Sequence, residues 1–266
     1  MADSKRIQDN LKALAAIGVT PEGGVTRLAW SGLEREAHRL ATRWMEEASL
    51  KVTSDAIGNT YGRREGSDPG LPTIMIGSHL DTVNNGGNLD GTLGMVGGLE
   101  VIRELNAKGV TTRHPITLMI FAAEEAVRFA DTCMGSKLIT GAVKRELLDQ
   151  LKDAQGVSPA EAMRSVGFDP DRIEEARWDA ASIAGYLELH IEQSTVLEKL
   201  GYSHNMMPSA AGHDARIMSF VTRTGMIFVP SKGGVSHSPE EYTAPEDILA
   251  GVNVLVGTVQ GLDLAL

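Results

Sequence analysis

The chain of 266 residues carries a formal net charge of −10, with 42% hydrophobic and 23% charged residues. That balance supplies a full apolar core and excludes disordered, collagen-like and coiled-coil classes. The negative charge opposes broad binding to nucleic acid or to an anionic membrane, because its field repels phosphate. Cys133 is the only cysteine and cannot close an internal disulfide, which fits a reducing compartment, the cytoplasm. The opening MADSKRIQDN lacks the apolar centre of a signal peptide, and no run approaches the roughly 18 apolar residues of a membrane span.

Leu11, Leu14, Ala15 and Ile17 form the apolar stripe of a first helix. A second is predicted over 32–47, opened by a capping box of Ser31 and Glu34, with Leu33, Ala37, Leu40, Ala41 and Trp44 inward and His38 on the polar side. The apolar run 71–76, between Asp68-Pro69-Gly70 and Gly77, reads as a strand, and 116–122 repeats the pattern after His114-Pro115. Between them lie a glycine-rich loop, 84–91, and a helical segment, 93–108. Strand, loop, helix and strand in that order imply a right-handed crossover, and so an α/β fold with a largely parallel sheet sandwiched by helices. Residues 141–181 read as helical and charged, with Ser158-Pro159 opening one helix and Gly167 closing it. In 185–193, Leu187, Leu189 and Ile191 alternate with Glu188, His190 and Glu192, so a strand puts the polar set on one face. An apolar stretch at 226–230, a loop to His237 and a final helix from about Pro245 complete the chain, which is read as one domain with no internal repeat.

Chemistry gathers at the predicted strand ends. His79, Asp81 and Asp90 follow the first core strand, where open α/β sheets place ligand crevices. An imidazole and a carboxylate suit a borderline divalent metal, and a second carboxylate can orient the ring; a satisfied histidine beside a turn-forming aspartate would look the same. Glu124 and Glu125 end the next strand, and adjacent carboxylates there need a cation or a proton unless solvent reaches them. One could ligate a metal while the other acts as general base. His190, between Glu188 and Glu192, invites protonation or a metal, and His213-Asp214 and His237 lie in glycine-rich settings. His38 and His114 read as structural. Convergence raises the metal reading, since such a crevice could hold two ions roughly 3.5 to 4 Å apart sharing one carboxylate. Spacing alone does not assign the bridge.

The segments GSHLDTV (77–83), GGNLDG (86–91), FAAEEAVRF (121–129), ELHIEQ (188–193), AGHDA (211–215) and GMIFVPSKGGVSHSPEE (225–241) occur in this order. Together they resemble the zinc-dependent aminoacylase and carboxypeptidase superfamily, in its branch of N-carbamoyl-L-amino acid hydrolases, β-ureidopropionases and allantoate amidohydrolases. The resemblance implies that His79, Asp90 and His190 hold one metal and Asp90, Glu125 and His237 the other, with Asp90 bridging. It makes Glu124 the general base and Asp81 the carboxylate behind His79, and it turns Gln193, His213 and, more weakly, Arg128 to the substrate. The implied reaction is metal-dependent hydrolysis of a ureido C–N bond. Two divalent ions are expected, zinc foremost, with manganese, cobalt or nickel also suited to these ligands. The histidine of ELHIEQ points to the carbamoylase branch over an aminoacylase or dipeptidase using the same metals. Family members insert a lid and dimerisation domain between ELHIEQ and AGHDA, whereas here only 194–210 intervene, too few for a domain of about 50 residues or more. A short bypass, with a turn at 201–205, is expected in its place, leaving a monomer of reduced activity on a small ureido or N-carbamoyl substrate. An inactive metal-binding scaffold is the alternative.

Overall fold

The computed structural model describes residues 1–193 and 211–266. Its sheet runs in the order β1-β2-β4-β3-β5-β6, from β1 (Lys51–Ser54), β2 (Thr60–Arg64), β3 (Thr73–His79), β4 (Ile116–Phe121), β5 (Ile183–Ile191) and β6 (Thr224–Val229). β4, β3, β5 and β6 pair in parallel, and helix α3 (Thr92–Ala107) makes the crossover between β3 and β4. The expected α/β fold with a largely parallel sheet is therefore the one observed. The sequence reading omits β1 and β2, an antiparallel pair added at the β4 edge. β1 is four residues long and mostly exposed, so it carries no apolar run to announce it.

β3 and β4 are buried along their whole length, which is why they read as continuous apolar runs and not as alternation. Their residues still alternate between two cores. Ile74, Ile76, Leu118 and Ile120 pack towards α1 (Ser4–Ala15), α2 (Gly32–Glu47), α3 and α8 (Pro245–Ala265). Met75, Met119 and Phe121 point the other way, towards Ile139 of α4 (Met134–Ile139) and Met218 of α7 (Asp214–Met218).

α2 keeps most of its expected face, with Ala37 and Ala41 buried and Leu40 and Trp44 packed against the core, and departs from it at Leu33 and His38. Ser31 Oγ accepts the Glu34 N–H at 3.2 Å, but the Glu34 carboxyl turns inward instead of completing a capping box. Glu34, Ala37, His38, Ala41 and Met45 are buried, whereas Leu33 is 43% exposed. His38 is thus interior, its Nδ1 3.0 Å from Thr60 Oγ1 on β2, because α2 docks on a strand pair that the periodicity did not reveal. The reciprocal capping box forms at Ser158 and Glu161, opening α6 (Pro159–Ser165). The rest of 141–181 is short helix, with α5 (Leu147–Gln150), and 3-10 turns. Contrary to expectation, α8 has the length and composition to cross a membrane, at 21 residues and mean hydropathy 1.5. In this fold its Ile248, Val252, Leu255 and Val259 belong to the main core. The expected bypass and its turn lie outside the described residues.

Candidate metal centre

The parallel strands end at one edge of the sheet, and the site follows from that alignment. His79 closes β3, Glu124 and Glu125 lie just beyond β4, and His190 is the next-to-last residue of β5. Asp90 arrives on the loop before α3, and His237 on the loop after β6. Asp90 Oδ1 lies 3.3 Å from His79 Nε2 and 3.2 Å from His190 Nε2. Asp90 Oδ2 lies 3.2 Å from His237 Nε2, which is 3.3 Å from Glu125 Oε1. The ligand-type atoms form the groups His79–Asp90–His190 and Asp90–Glu125–His237, each within 4.8 Å. A further group, Glu188, His190 and His213, overlaps the first. Glu188 acts there as a brace, since its two oxygens accept from Ser78 Oγ at 2.6 Å and the Ala215 N–H at 3.0 Å.

The local backbone serves this geometry. His79 Nδ1 is 3.0 Å from the Asp81 carbonyl and His190 Nδ1 2.8 Å from that of Ile191. Each Nδ1 therefore carries the proton in the neutral ring, and each Nε2 presents a lone pair to the Asp90 side. Gly91 sits at φ +63°, and a Cβ there would lie 2.5 Å from the His79 ring, so only glycine brings the Asp90 loop this close. Ala123 is held at φ +55°, a costly conformation for a residue with a Cβ, at the bend that presents Glu124 and Glu125. Asp81 receives that bend, its carboxylate accepting the N–H groups of Glu124 at 3.2 Å and Glu125 at 3.0 Å. Its Oδ1 also lies 3.5 Å from His79 Nδ1. Glu124 Oε2 is 3.7 Å from His79 Nε2, and its Oε1 accepts from Cys133 Sγ at 3.2 Å.

Burial and charge oppose one another throughout. Burial raises the Glu124 carboxyl well above its ordinary range and lifts Glu125 to about 7, with Asp90 adding to the latter. Burial also acts to raise Asp90, but His190, His237 and His79 outweigh it and hold Asp90 well below the usual carboxylate range. Burial likewise disfavours the His190 imidazolium, yet Asp90 and Glu188 lift it to about 9. Protons on the imidazoles thus compensate a buried carboxylate cluster, and a divalent cation can take their place. Imidazole nitrogens with ordered tautomers and carboxylate oxygens are the donors that zinc, manganese, cobalt and nickel accept, so the donor set fits a metal centre.

The expected substrate residues divide. Gln193 Nε2 donates to Asp90 Oδ2 at 2.8 Å and lies 3.3 Å from His237 Nε2. His213 stacks edge-on against His190 with ring centroids 4.5 Å apart, and its buried Nε2 has no hydrogen-bond partner among the described residues. It lines a cavity of about 500 Å³ with Arg216, Thr224 and Met226, and burial, then His190, lowers its pKa to about 3. Arg128 engages Asp153 and the carbonyls of Ala29 and Trp30 rather than any member of the cluster. Two residues escaped the sequence reading. Glu241 binds the Asp90 loop through the N–H groups of Leu89 and Asp90, and Cys133 binds Glu124. Neither has a spacing signal, because each acts across a long stretch of chain or through an unremarkable residue type.

Residues 75–261 match the peptidase family M20/M25/M40. The chain is 42% identical over 212 residues to the N-carbamoyl-L-amino acid amidohydrolase of Geobacillus stearothermophilus, covering 80% of this chain and 52% of that protein. It is 27% identical to an uncharacterized hydrolase of Haemophilus influenzae over 395 aligned positions, covering 94% of this chain and 96% of the relative. Because the chain has 266 residues, more than a hundred positions of that relative stand opposite gaps in it. The chain spans about half the length of several curated relatives it matches. Among solved structures, an amidase of the hydantoinase/carbamoylase family from Burkholderia multivorans superposes with a TM-score of 0.88 at 25% identity, covering 98% of each chain. The match over most of the chain, together with that fold, shows that this chain belongs to the M20/M25/M40 peptidase family.

Proposed function

We propose that this chain is the catalytic core of a dinuclear metal-dependent amidohydrolase that cleaves the carbamoyl C–N bond of N-carbamoyl-L-amino acids or allantoate-like ureido compounds. One observation carries the reading: the two oxygens of Asp90 face separate ligand groups, His79 and His190 on one side and His237 with Glu125 on the other. His79, Asp90 and His190 would hold one ion, and Asp90, Glu125 and His237 the second. When bound there, two such ions, zinc foremost and otherwise manganese, cobalt or nickel, would supply Lewis acidity towards a poorly electrophilic ureido carbonyl and towards water. The chain supplies the proton traffic. Glu124, held by burial well above the ordinary carboxylate range, takes a proton from the attacking water and returns it to the departing amine. Asp81 orients His79 and the Glu124–Glu125 bend, while Gln193 and His213 contact the substrate. Arg128 braces the loop beyond β4 in this reading, given its engagement with Asp153.

Similarity to a carbamoyl amidohydrolase at 42% identity supports the substrate class. The long gaps against the Haemophilus relative support a missing internal domain, which we assign to 194–210. Loss of such a lid leaves water in the crevice and removes partners for the substrate, so activity is expected to be low and the chain monomeric, while the single cysteine supports a reducing compartment, the cytoplasm. Elemental analysis of chelator-treated, reloaded protein tests the metal reading. Near two ions per chain are expected, falling sharply in Asp90→Ala. Turnover is then compared on N-carbamoyl, N-acetyl and dipeptide substrates. The expected kcat/KM on N-carbamoyl amino acids lies below the usual range of about 10⁴ to 10⁸ M⁻¹s⁻¹. Preference for acetyl or peptide substrates would replace the reaction class, and full loading without any turnover would favour the scaffold.

A further inference from the structure

The loop carrying Asp90 and the loop carrying His237 are far apart in sequence, one before α3 and the other after β6. Glu241 joins them. Its Oε1 accepts the N–H of Leu89 at 2.7 Å and that of Asp90 at 3.2 Å, and Glu241 itself follows His237 by four residues on the same loop. Glu241 is 7% exposed, and it lies over Gly87, where a Cβ would fall 2.2 Å from its Cδ and Oε1. The absent side chain at 87 is therefore what admits the carboxylate. Among the described residues its other oxygen, also buried, has no hydrogen-bond partner, an expensive arrangement that ordinary loop closure does not require.

The two loops differ in how much help they need. Asp90 is anchored independently, since it precedes α3 and the Gly91 N–H approaches His190 Nε2 at 3.4 Å. His237 sits at φ +58° with its side chain 44% exposed, so neither burial nor a favoured backbone region holds it. We propose that Glu241 is a positioning residue for the second metal site, clamping the His237 loop to the Asp90 loop so that Asp90 Oδ2 and His237 Nε2 meet one ion. This rests on the dinuclear reading above. The clamp works through acceptance of N–H groups, so an amide oxygen in the same place preserves it and a methyl group does not.

The test is stepwise Co²⁺ titration of the metal-free chain, followed by calorimetry and by the visible absorption of the bound ion. Apo-protein thermal melts are recorded for each variant. Wild type is expected to take two ions in resolvable steps. Glu241→Gln should keep both affinities, whereas Glu241→Ala should bind the second ion about 10 to 100 times more weakly and leave the first step little changed. Gly87→Ala, which displaces the carboxylate without altering it, should reproduce the Glu241→Ala pattern and provides a second route if that variant folds poorly. Unchanged affinities in both alanine variants, or equal weakening of the two steps, overturn the assignment. Fewer than two ions on wild type overturns the dinuclear reading and the clamp with it, a result visible before any variant is made.

Discussion

The two proposed ligand triads share Asp90 and differ in almost everything else. His79, Asp90 and His190 are all buried, and each imidazole is fixed through Nδ1 to a backbone carbonyl. His79 and His190 also belong to strands that pair along their length. The second triad borrows its exposed member, His237, from a loop at positive φ and draws Glu125 from a bend held by Asp81. One half of the centre is thus preorganised by the sheet, and the other is assembled by loops and hydrogen bonds. Preorganised ligands lose little freedom when an ion arrives, whereas loop ligands must be ordered at that moment, which weakens binding.

Separating chemistry from both triads gives the largest expected effect. Glu124→Gln should keep two ions per chain and lower kcat by about 10² to 10⁴, measured on N-carbamoyl substrates at full metal occupancy. If the ions leave with the activity, Glu124 is a ligand and the division of labour with Glu125 is wrong. Next in size is the contrast between the triads themselves. His237→Ala should retain about one ion per chain and change the melting temperature of the metal-free protein little. His190→Ala should lose the more tightly held ion and also lower that temperature, because it opens a space in a buried cluster. Equal effects from the two substitutions would erase the distinction between sheet-built and loop-built halves.

The shallowest effect, read per pH unit, lies in a buried ionisable group outside both triads. Burial raises Glu34 to about 8, with its Oε1 3.7 Å from His38 Nε2. The folded chain therefore keeps a proton that the unfolded chain releases near the ordinary value of 4.5. A raised carboxyl stabilises the fold fully below that value, and its contribution is lost as pH rises towards 8. Denaturant melts across this range should show a shallower loss of stability for Glu34→Gln, by up to about 1.4 kcal/mol per pH unit. Metal stoichiometry should not move. An unchanged slope would mean that Glu34 is ionised inside the fold.

Legibility followed the range over which each signal acts. The ends of β3, β4 and β5 were readable because apolar runs mark buried strands and polar residues mark where they stop. Ser158 and Glu161 behave as a local capping signal should, within one helical turn. Ser31 and Glu34 carry the same local signal, yet the inward pull on Glu34 overrides half of it. His38 was misplaced for a related reason: its partner Thr60 belongs to β2, a five-residue strand too short to show in the periodicity. The resemblance turns Arg128 weakly to the substrate, but the fold brings Asp153 and two carbonyls to it instead. Glu241 was hidden most completely, because its hydrogen-bond partners lie about 150 positions away.

By itself, then, the sequence determined the parallel core, the types of ligand present and the strand ends that deliver them, since these depend on hydrophobic pattern and short-range spacing. Tertiary structure alone decided which oxygen of Asp90 faces which histidines, which ring nitrogens present lone pairs, and how the His237 loop is tied to the Asp90 loop. The physical reason is directional. Hydrophobic burial is a bulk preference that residue type reveals, whereas hydrogen bonding and metal ligation require named atoms at fixed distances, and only the folded chain sets those.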